Sequence, residues 1–266
     1  MKIHLLNYEP NRIGGGWTQS RYLAEGLGHV PYEESDVVLI TGPTMASHEQ
    51  VGQSKRDGKK IVARLDNALR DSRNRGTGMS RMKAFCEASD LVIYQSEWAK
   101  RFLYPFTKKD GAVILNGVDT RIFNSDNSVP PQESYLYVRS SRDEGKQWIM
   151  AWYWFVNNPG TLDIVGKFSP ENLEWGFDFY NGESFRFLGE QSKENMPDVY
   201  RRNKYFLYTY LNDACSNTLL EARASGCEII DVYGMLQTGG APEIMACKDI
   251  SVERMIEEYR SALSNI

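Results

Sequence analysis

The sequence predicts an α/β protein built as two Rossmann-like halves with a cleft between them. Three observations lead there. Short apolar runs alternate with helical stretches along nearly the whole chain. Several of those runs are continuous Val, Ile and Leu rather than alternating, as parallel strands covered on both faces require. A polar stretch with two prolines, Asn124 to Gln132, divides the 266 residues into two parts, each long enough for a small doubly wound domain. The expected division is 1–124 and 133–266.

In chain order, the apolar runs predict strands at Ile3–Leu6, Val37–Thr41, Ile61–Leu65, Leu91–Gln95, Val113–Leu115, Ser134–Val138, Leu162–Val165, Phe185–Leu188, Phe206–Tyr210 and Glu228–Asp231. Helical spacing between them predicts Thr18–Leu27, Ser80–Ala88, Trp98–Tyr104, Lys146–Asn157, Met196–Arg202, Thr218–Ala224 and Val252–Leu263. Trp148, Trp152 and Phe155 form an aromatic stripe at helical spacing, which is read as the core helix of the second domain rather than a sugar platform. The terminal helix, Glu253 to Leu263, is expected to pack on a sheet face, within the second part of the 1–124 and 133–266 division.

Composition excludes several classes. Apolar residues at 41% and charged residues at 25% rule out disordered and fibrous chains. Lys+Arg 31 against Asp+Glu 35, a net charge of −4, argues against a general polyanion binder. Residues 1–120 hold 17 basic and 14 acidic side chains, the remainder 14 and 21, which places the basic surface in the first half. Cys86, Cys215, Cys227 and Cys247 form no C-x-x-C pair, as in a reduced protein. The N-terminus does not resemble a signal peptide, and the longest apolar run, Trp148 to Val156, is too short for a bilayer; a cytoplasmic location is expected. His4, His29 and His48 have no metal-ligand spacing, so no fixed metal is expected, and no bound cofactor is expected either.

The segment richest in chemistry runs from Tyr205 to Ile230. A strand ends in a loop carrying Asp213, and Cys215-Ser216-Asn217-Thr218-Leu219 opens a helix that holds Glu221 and stops at Gly226. Ser, Asn and Thr at a helix start, with backbone N–H groups at the positive end of the dipole, suit a phosphate. Glu221, one helical turn further in, is spaced to reach a ribose diol on the same face. Asp213 sits where it can bind sugar hydroxyls.

Asp213, seven residues, then Glu221-Ala222-Arg223-Ala224-Ser225-Gly226 resembles the acid-x7-acid and E-A-x-A-x-G hallmark of the retaining nucleotide-sugar glycosyltransferases of the GT-B fold. That group, the glycosyl transferases group 1 type, includes glycogen synthase-like and sucrose synthase-like enzymes. The first acid of the pair is usually Glu; Asp213 is shorter by one methylene. Further landmarks fall in order. Gly14-Gly15-Gly16-Trp17-Thr18 matches the Gly-rich loop, in which Gly15 and Gly16 would lie beside the donor phosphate. Ser89 to Trp98 resembles the "aD-x-V-i-x-x-S-x-w" segment, Ile114 to Asp119 the "I-x-N-G-V-D" that ends the first domain, and Phe185 to Gly189 the "v-x-F-l-G" strand. The resemblance spans roughly residues 1–250.

The resemblance implies transfer of a sugar from a nucleotide diphosphate sugar, most simply a UDP-sugar, to an acceptor hydroxyl. It places an Arg and a Lys after the second domain's first strand, clamping the diphosphate; fixed positive charge there stabilises the departing group. Lys146 matches the Lys. Arg139 and Arg142 lie seven and four residues before it, against a family spacing of about five, and Arg139 follows the strand directly. Arg64 and Asp66, at the end of the third strand, fall where relatives face the sugar, although an Asp there also caps turns. Arg70, Arg73, Arg75, Arg81 and Lys83, interleaved with Gly76, Thr77 and Gly78, read either as a solvated face or as a site for a phosphate-bearing acceptor: DNA, a lipid phosphate or a phosphorylated glycan. The chain's small size and this basic stretch also resemble compact phage glycosyltransferases, some of which modify hydroxymethylated DNA bases. A non-catalytic nucleotide-sugar-binding protein of the same fold is the alternative.

Overall fold

The computed structural model describes residues 1–12, 14–66, 78–126, 130–138, 148–158, 160–166 and 184–266. In its first unit, Met1–Gly117 with Cys247–Ile266, five apolar runs form a parallel sheet in the order β1 (Ile3–Leu5), β2 (Val37–Ile40), β3 (Lys60–Leu65), β4 (Leu91–Tyr94) and β5 (Ala112–Val113). Every residue of β2 is buried, which is why its sequence does not alternate.

Helix α1 (Gly15–Leu27) follows β1 and ends on Gly28 in the left-handed conformation, φ 72°. It delivers the chain to a parallel bridge between His29 and Ile3, on the edge of β1 opposite β2. The chain then crosses to β2, so successive connections leave β1 in both directions: a topological switch point. Helices α2 (His48–Arg56), α3 (Gly78–Ala88) and α4 (Glu97–Thr107) make the remaining crossovers. Val51, Phe85, Met82 and Leu103 from these helices pack with Val38, Ile40, Ala63 and Val92 on one face of the sheet. Tyr22, Leu23 and Ala24 of α1 pack with Ile3, Leu5, Val37 and Leu39 on the other. Right-handed crossovers on either side of a switch point demand this split. The polar helix α2 has too few apolar residues to announce itself by periodicity. Its start is nonetheless written in a capping box: Ser47 Oγ accepts the Gln50 N–H at 3.1 Å, and Gln50 Oε1 accepts the Ser47 N–H at 2.9 Å.

The second unit, Val118–Ala246, contains β6 (Gln132–Val138), α5 (Trp148–Asn157), β7 (Thr161–Val165), β8 (Phe185–Gly189), α6 (Met196–Arg202), β9 (Asn203–Tyr208), α7 (Asn217–Ala224), β10 (Glu228–Asp231) and α8 (Ala241–Ala246). Its parallel sheet has the order β10-β9-β6-β7-β8, with the switch point between β6 and β9. Tyr137, Phe155, Leu162, Ile164, Phe185 and Leu207 form the core, with Trp148, Trp152 and Trp154 partly buried against it. Trp152 stacks on Phe185 with 5.5 Å between ring centroids. The Trp-rich helix is therefore a core helix, as its periodicity indicates. Asp163 is fully buried in β7 and accepts from Arg186 Nε (2.5 Å), Arg202 Nη2 (3.3 Å) and Asn203 Nδ2 (3.0 Å), a buried charge kept tolerable by charged and neutral donors together.

The chain ends in α9 (Val252–Leu263), which belongs to the first unit and not, as expected, to the second. Its apolar face, Val252, Met255, Ile256, Tyr259 and Leu263, joins the core formed by β1, β2 and α1. Two glycines permit the approach: a Cβ on Gly26 would lie 2.5 Å from Ile256, and one on Gly117 only 2.6 Å from the Cα of Val252. Arg254 forks onto the carbonyls of Leu115 (3.0 Å) and Asn116 (2.9 Å). The division accordingly falls at Gly117/Val118 rather than at residue 124. An amphipathic helix specifies that it must cover an apolar surface but not which one.

Candidate functional site

In doubly wound sheets, ligands bind beyond the carboxyl ends of the strands at the switch point. In the second unit those ends are Val138 and Tyr208, and the hydroxyl of the buried Tyr210 donates to the carbonyl of Val138, tying the two exits together. Past Tyr210 the chain turns through Asn212 in the left-handed region, φ 54°, into the half-buried Asp213. The Asp213 backbone is held from an unexpected direction. Gly240 donates its N–H to the Asp213 carbonyl at 2.9 Å, and Gly239, φ 60°, comes so close that a Cβ there would sit 2.4 Å from that oxygen. Only glycine allows both the backbone angle and the approach.

Ser216 caps α7, its Oγ accepting the Leu219 N–H at 3.4 Å and lying 3.1 Å from Thr218 Oγ1. Leu219, which the sequence places with Ser216–Thr218 among the donor-binding residues at this helix start, is fully buried, and its N–H is taken by that cap. Asn217 and Thr218 are half-buried at the helix start. Glu221, one turn further, has its Oε2 held by the hydroxyl of the fully buried Tyr200 at 2.9 Å. Burial pushes the Glu221 carboxyl up to about 7, against the opposing pull of the Tyr200 hydrogen bond and the Lys193 charge. A carboxylate kept short of donors and fixed in direction suits paired hydroxyls of a ligand.

In the first unit the switch point lies between β1 and β2. Gly14, φ 136°, precedes α1, whose first residues are Gly15 and Gly16; nothing lies within 4 Å of a Cβ built on Gly16. Arg64, expected to face the acceptor, is instead 3% exposed. Its Nη1 donates to the Thr41 carbonyl (2.9 Å) and its Nη2 to Asn116 Oδ1 (2.6 Å). With the Gln95 amide turned to present its oxygen, that atom accepts from both at 2.9 Å. The five-donor fork thus braces the ends of β2 and β4 to the 114–117 segment, which leaves the acceptor role without support. Asp66 follows β3 directly and Arg81 lies near the start of α3; Asp66 Oδ1 and Arg81 Nε are buried without a hydrogen-bond partner among the described residues.

No family model matches the chain, and no curated protein does. Solved structures do. HepE of Anabaena, in complex with UDP and glucose, is similar with a TM-score of 0.77 at 14% identity, covering 100% of both chains. Sucrose-phosphate synthase from Thermosynechococcus elongatus gives 0.73 at 14% identity, again over 100% of both. AviGT4, a glycosyltransferase involved in avilamycin A biosynthesis, gives 0.66 at 14% identity over 100% of this chain and 98% of its own. The chain has the GT-B fold.

Several residues that the GT-B reading singled out, Arg70, Arg73, Arg75, Arg139, Arg142 and Lys146, lie outside the described residues. Within the described part of this GT-B chain, sequence reasoning missed the support of the site: Tyr200 behind Glu221, Tyr210 between the strand exits and Gly239 under Asp213. Of these only the Thr238-Gly239-Gly240 run carries a visible local signal, and it reads as a turn. All four cysteines are free thiols. Among the described residues no three His, Cys, Asp or Glu side chains are grouped to hold a metal, and no helix is long and apolar enough to cross a membrane.

Proposed function

We propose that the chain is a retaining glycosyltransferase that moves a sugar from a UDP-sugar to an acceptor hydroxyl. The observation that carries this reading is the element after β9: a pinned Asp213, a capped helix start at Ser216–Thr218 and a desolvated Glu221 aimed from the same helix. The fold it shares with HepE, solved with UDP and with UDP-glucose, supports the choice of donor.

In this reading Glu221 accepts from the ribose diol, the start of α7 faces the phosphates, and Asp213 orients the sugar. Arg139 and Lys146 are assigned to the diphosphate on the sequence resemblance. The bond between the anomeric carbon and the phosphate oxygen breaks with its electron pair leaving on the diphosphate. The acceptor oxygen bonds to the same face of that carbon, and its proton passes to the departing phosphate oxygen. Fixed donors and cations at that oxygen lower the barrier without a protein base. An acceptor bearing phosphate, such as hydroxymethylated DNA or a lipid-linked glycan, fits the basic stretch from Arg70 to Lys83.

Thermal denaturation with UDP, GDP and ADP, followed by UDP release from UDP-glucose with and without these acceptors, tests the proposal. Stabilisation by UDP alone and acceptor-dependent release are expected. Stabilisation without acceptor-dependent release would make the chain a nucleotide-sugar-binding protein, and no response to any nucleotide would remove the donor site.

A further inference from the structure

Among the described residues, helix α4 packs one apolar face into the core and carries a second row of apolar side chains beside it. Ala99, Leu103 and Thr107 are buried, Leu103 in the core beside Met82 and Val92. Next to that face runs a ridge of Trp98, Phe102, Pro105 and Phe106 at spacings of four, three and one, so their side chains line one strip of the helix. Phe102 is 43% and Phe106 53% exposed. Trp98 stacks flat on Phe102, 5.2 Å between centroids at an interplanar angle of 8°, which makes a stiff apolar plate before anything binds. Singly scattered exposed aromatics need no explanation; a contiguous helical row does.

Cations frame the ridge. Arg101 and Lys108 are exposed and make no ion pair among the described residues, and Lys109 is half-buried beside them. Lys100 is committed to Asp110 at 2.7 Å. Residues 97–110 hold four cations against Glu97 and Asp110, in a chain whose net charge is −4.

We propose that this ridge docks the protein on an anionic lipid bilayer. The exposed Phe102 and Phe106 enter the boundary between headgroups and acyl chains, with half-buried Trp98 stacked against Phe102, and Arg101, Lys108 and Lys109 meet lipid phosphates. Charge complementarity selects this occupant. A second copy packed about a two-fold axis on the ridge would bring Arg101 and Lys108 towards their own counterparts, whereas an anionic surface pairs every cation. The inference rests on α4 alone and does not depend on the transfer reaction.

The test is co-sedimentation of the full chain with vesicles of phosphatidylcholine alone and of equal parts phosphatidylcholine and phosphatidylglycerol. Binding to the anionic vesicles, weakened by salt, is expected. Each cation near such a surface favours binding by about fivefold, so R101E/K108E should lower the partition by well over tenfold on anionic vesicles. F102S/F106S should lower it by about tenfold or more by removing the inserted rings. Both variants alter exposed side chains, and an unchanged thermal midpoint verifies folding. Absence of binding to anionic vesicles overturns the proposal, as does binding that neither variant changes. A concentration-dependent dimer that F102S/F106S dissolves, without vesicle binding, would assign the ridge to a second copy instead.

Discussion

Replacing Glu221 with Gln separates what this residue costs the fold from what it does for the ligand. Burial lifts its carboxyl from the ordinary 4.5 to about 7. At about 1.4 kcal/mol per tenfold change in proton affinity this corresponds to ~3 kcal/mol, which solvent access to the half-buried side chain reduces to about 1–2 kcal/mol. The folded-state value lies above the unfolded one for an acid, so the penalty is small below 4.5, grows between 4.5 and 7, and is complete above 7. Gln keeps a carbonyl for the Tyr200 hydroxyl and carries no charge. The variant should therefore gain on wild type as pH rises from 5 to 8, reaching about 3–6 °C in thermal midpoint at pH 8. In the proposed reading ribose hydroxyls donate to the ionised carboxylate, so UDP affinity of the wild type should rise by up to about tenfold from pH 6 to pH 8, following the ionised fraction. In E221Q it should be weak and flat. Calorimetric titration with UDP and thermal melts across pH supply both readouts. A variant no more stable than wild type at pH 8 would refute the desolvated carboxylate, and a wild-type UDP affinity flat from pH 6 to pH 8 would refute its contact with the ligand.

Other perturbations address the supports. Gly239→Ala forces a Cβ to within 2.4 Å of the Asp213 carbonyl at φ 60°; it should cost about 2 kcal/mol or more in urea unfolding and weaken UDP-sugar binding with it. Arg64→Lys keeps the charge and loses the fork to Thr41 and Asn116, an expected loss of about 1–3 kcal/mol. Ile256→Ala opens the packing of α9 against α1; about 2–5 kcal/mol should be lost, with amide exchange quickening in β1–β4 and not in β6–β9. In the proposed reaction, Lys146→Ala should lower turnover more than UDP-sugar affinity, measured by kcat against KM; equal losses would make Lys146 an ordinary binding residue.

The ten strands among the described residues were legible in the sequence, most plainly where a strand is buried on both faces, as β2 is, and must be a continuous apolar run. The start of α7 was legible for a similar reason: Ser216 can cap only the helix that begins beside it. Glu221 was legible as a position, one turn inside that helix. Its chemistry was not, since the acidity depends on Tyr200 and on the packing of α6, which its neighbours in sequence do not announce. Arg64 shows the same division. Its place at the end of a central strand follows from the pattern of β3, yet whether five donors face a ligand or a ring of internal acceptors is decided by Thr41, Gln95 and Asn116. The terminal helix was visible by its period, whereas its allegiance to the first unit depended on clearance at Gly26 and Gly117. Periodicity and caps act over a few residues and are therefore written locally. Burial, acidity and the choice of packing partner arise from side chains brought together across the chain, and only the tertiary structure supplies them.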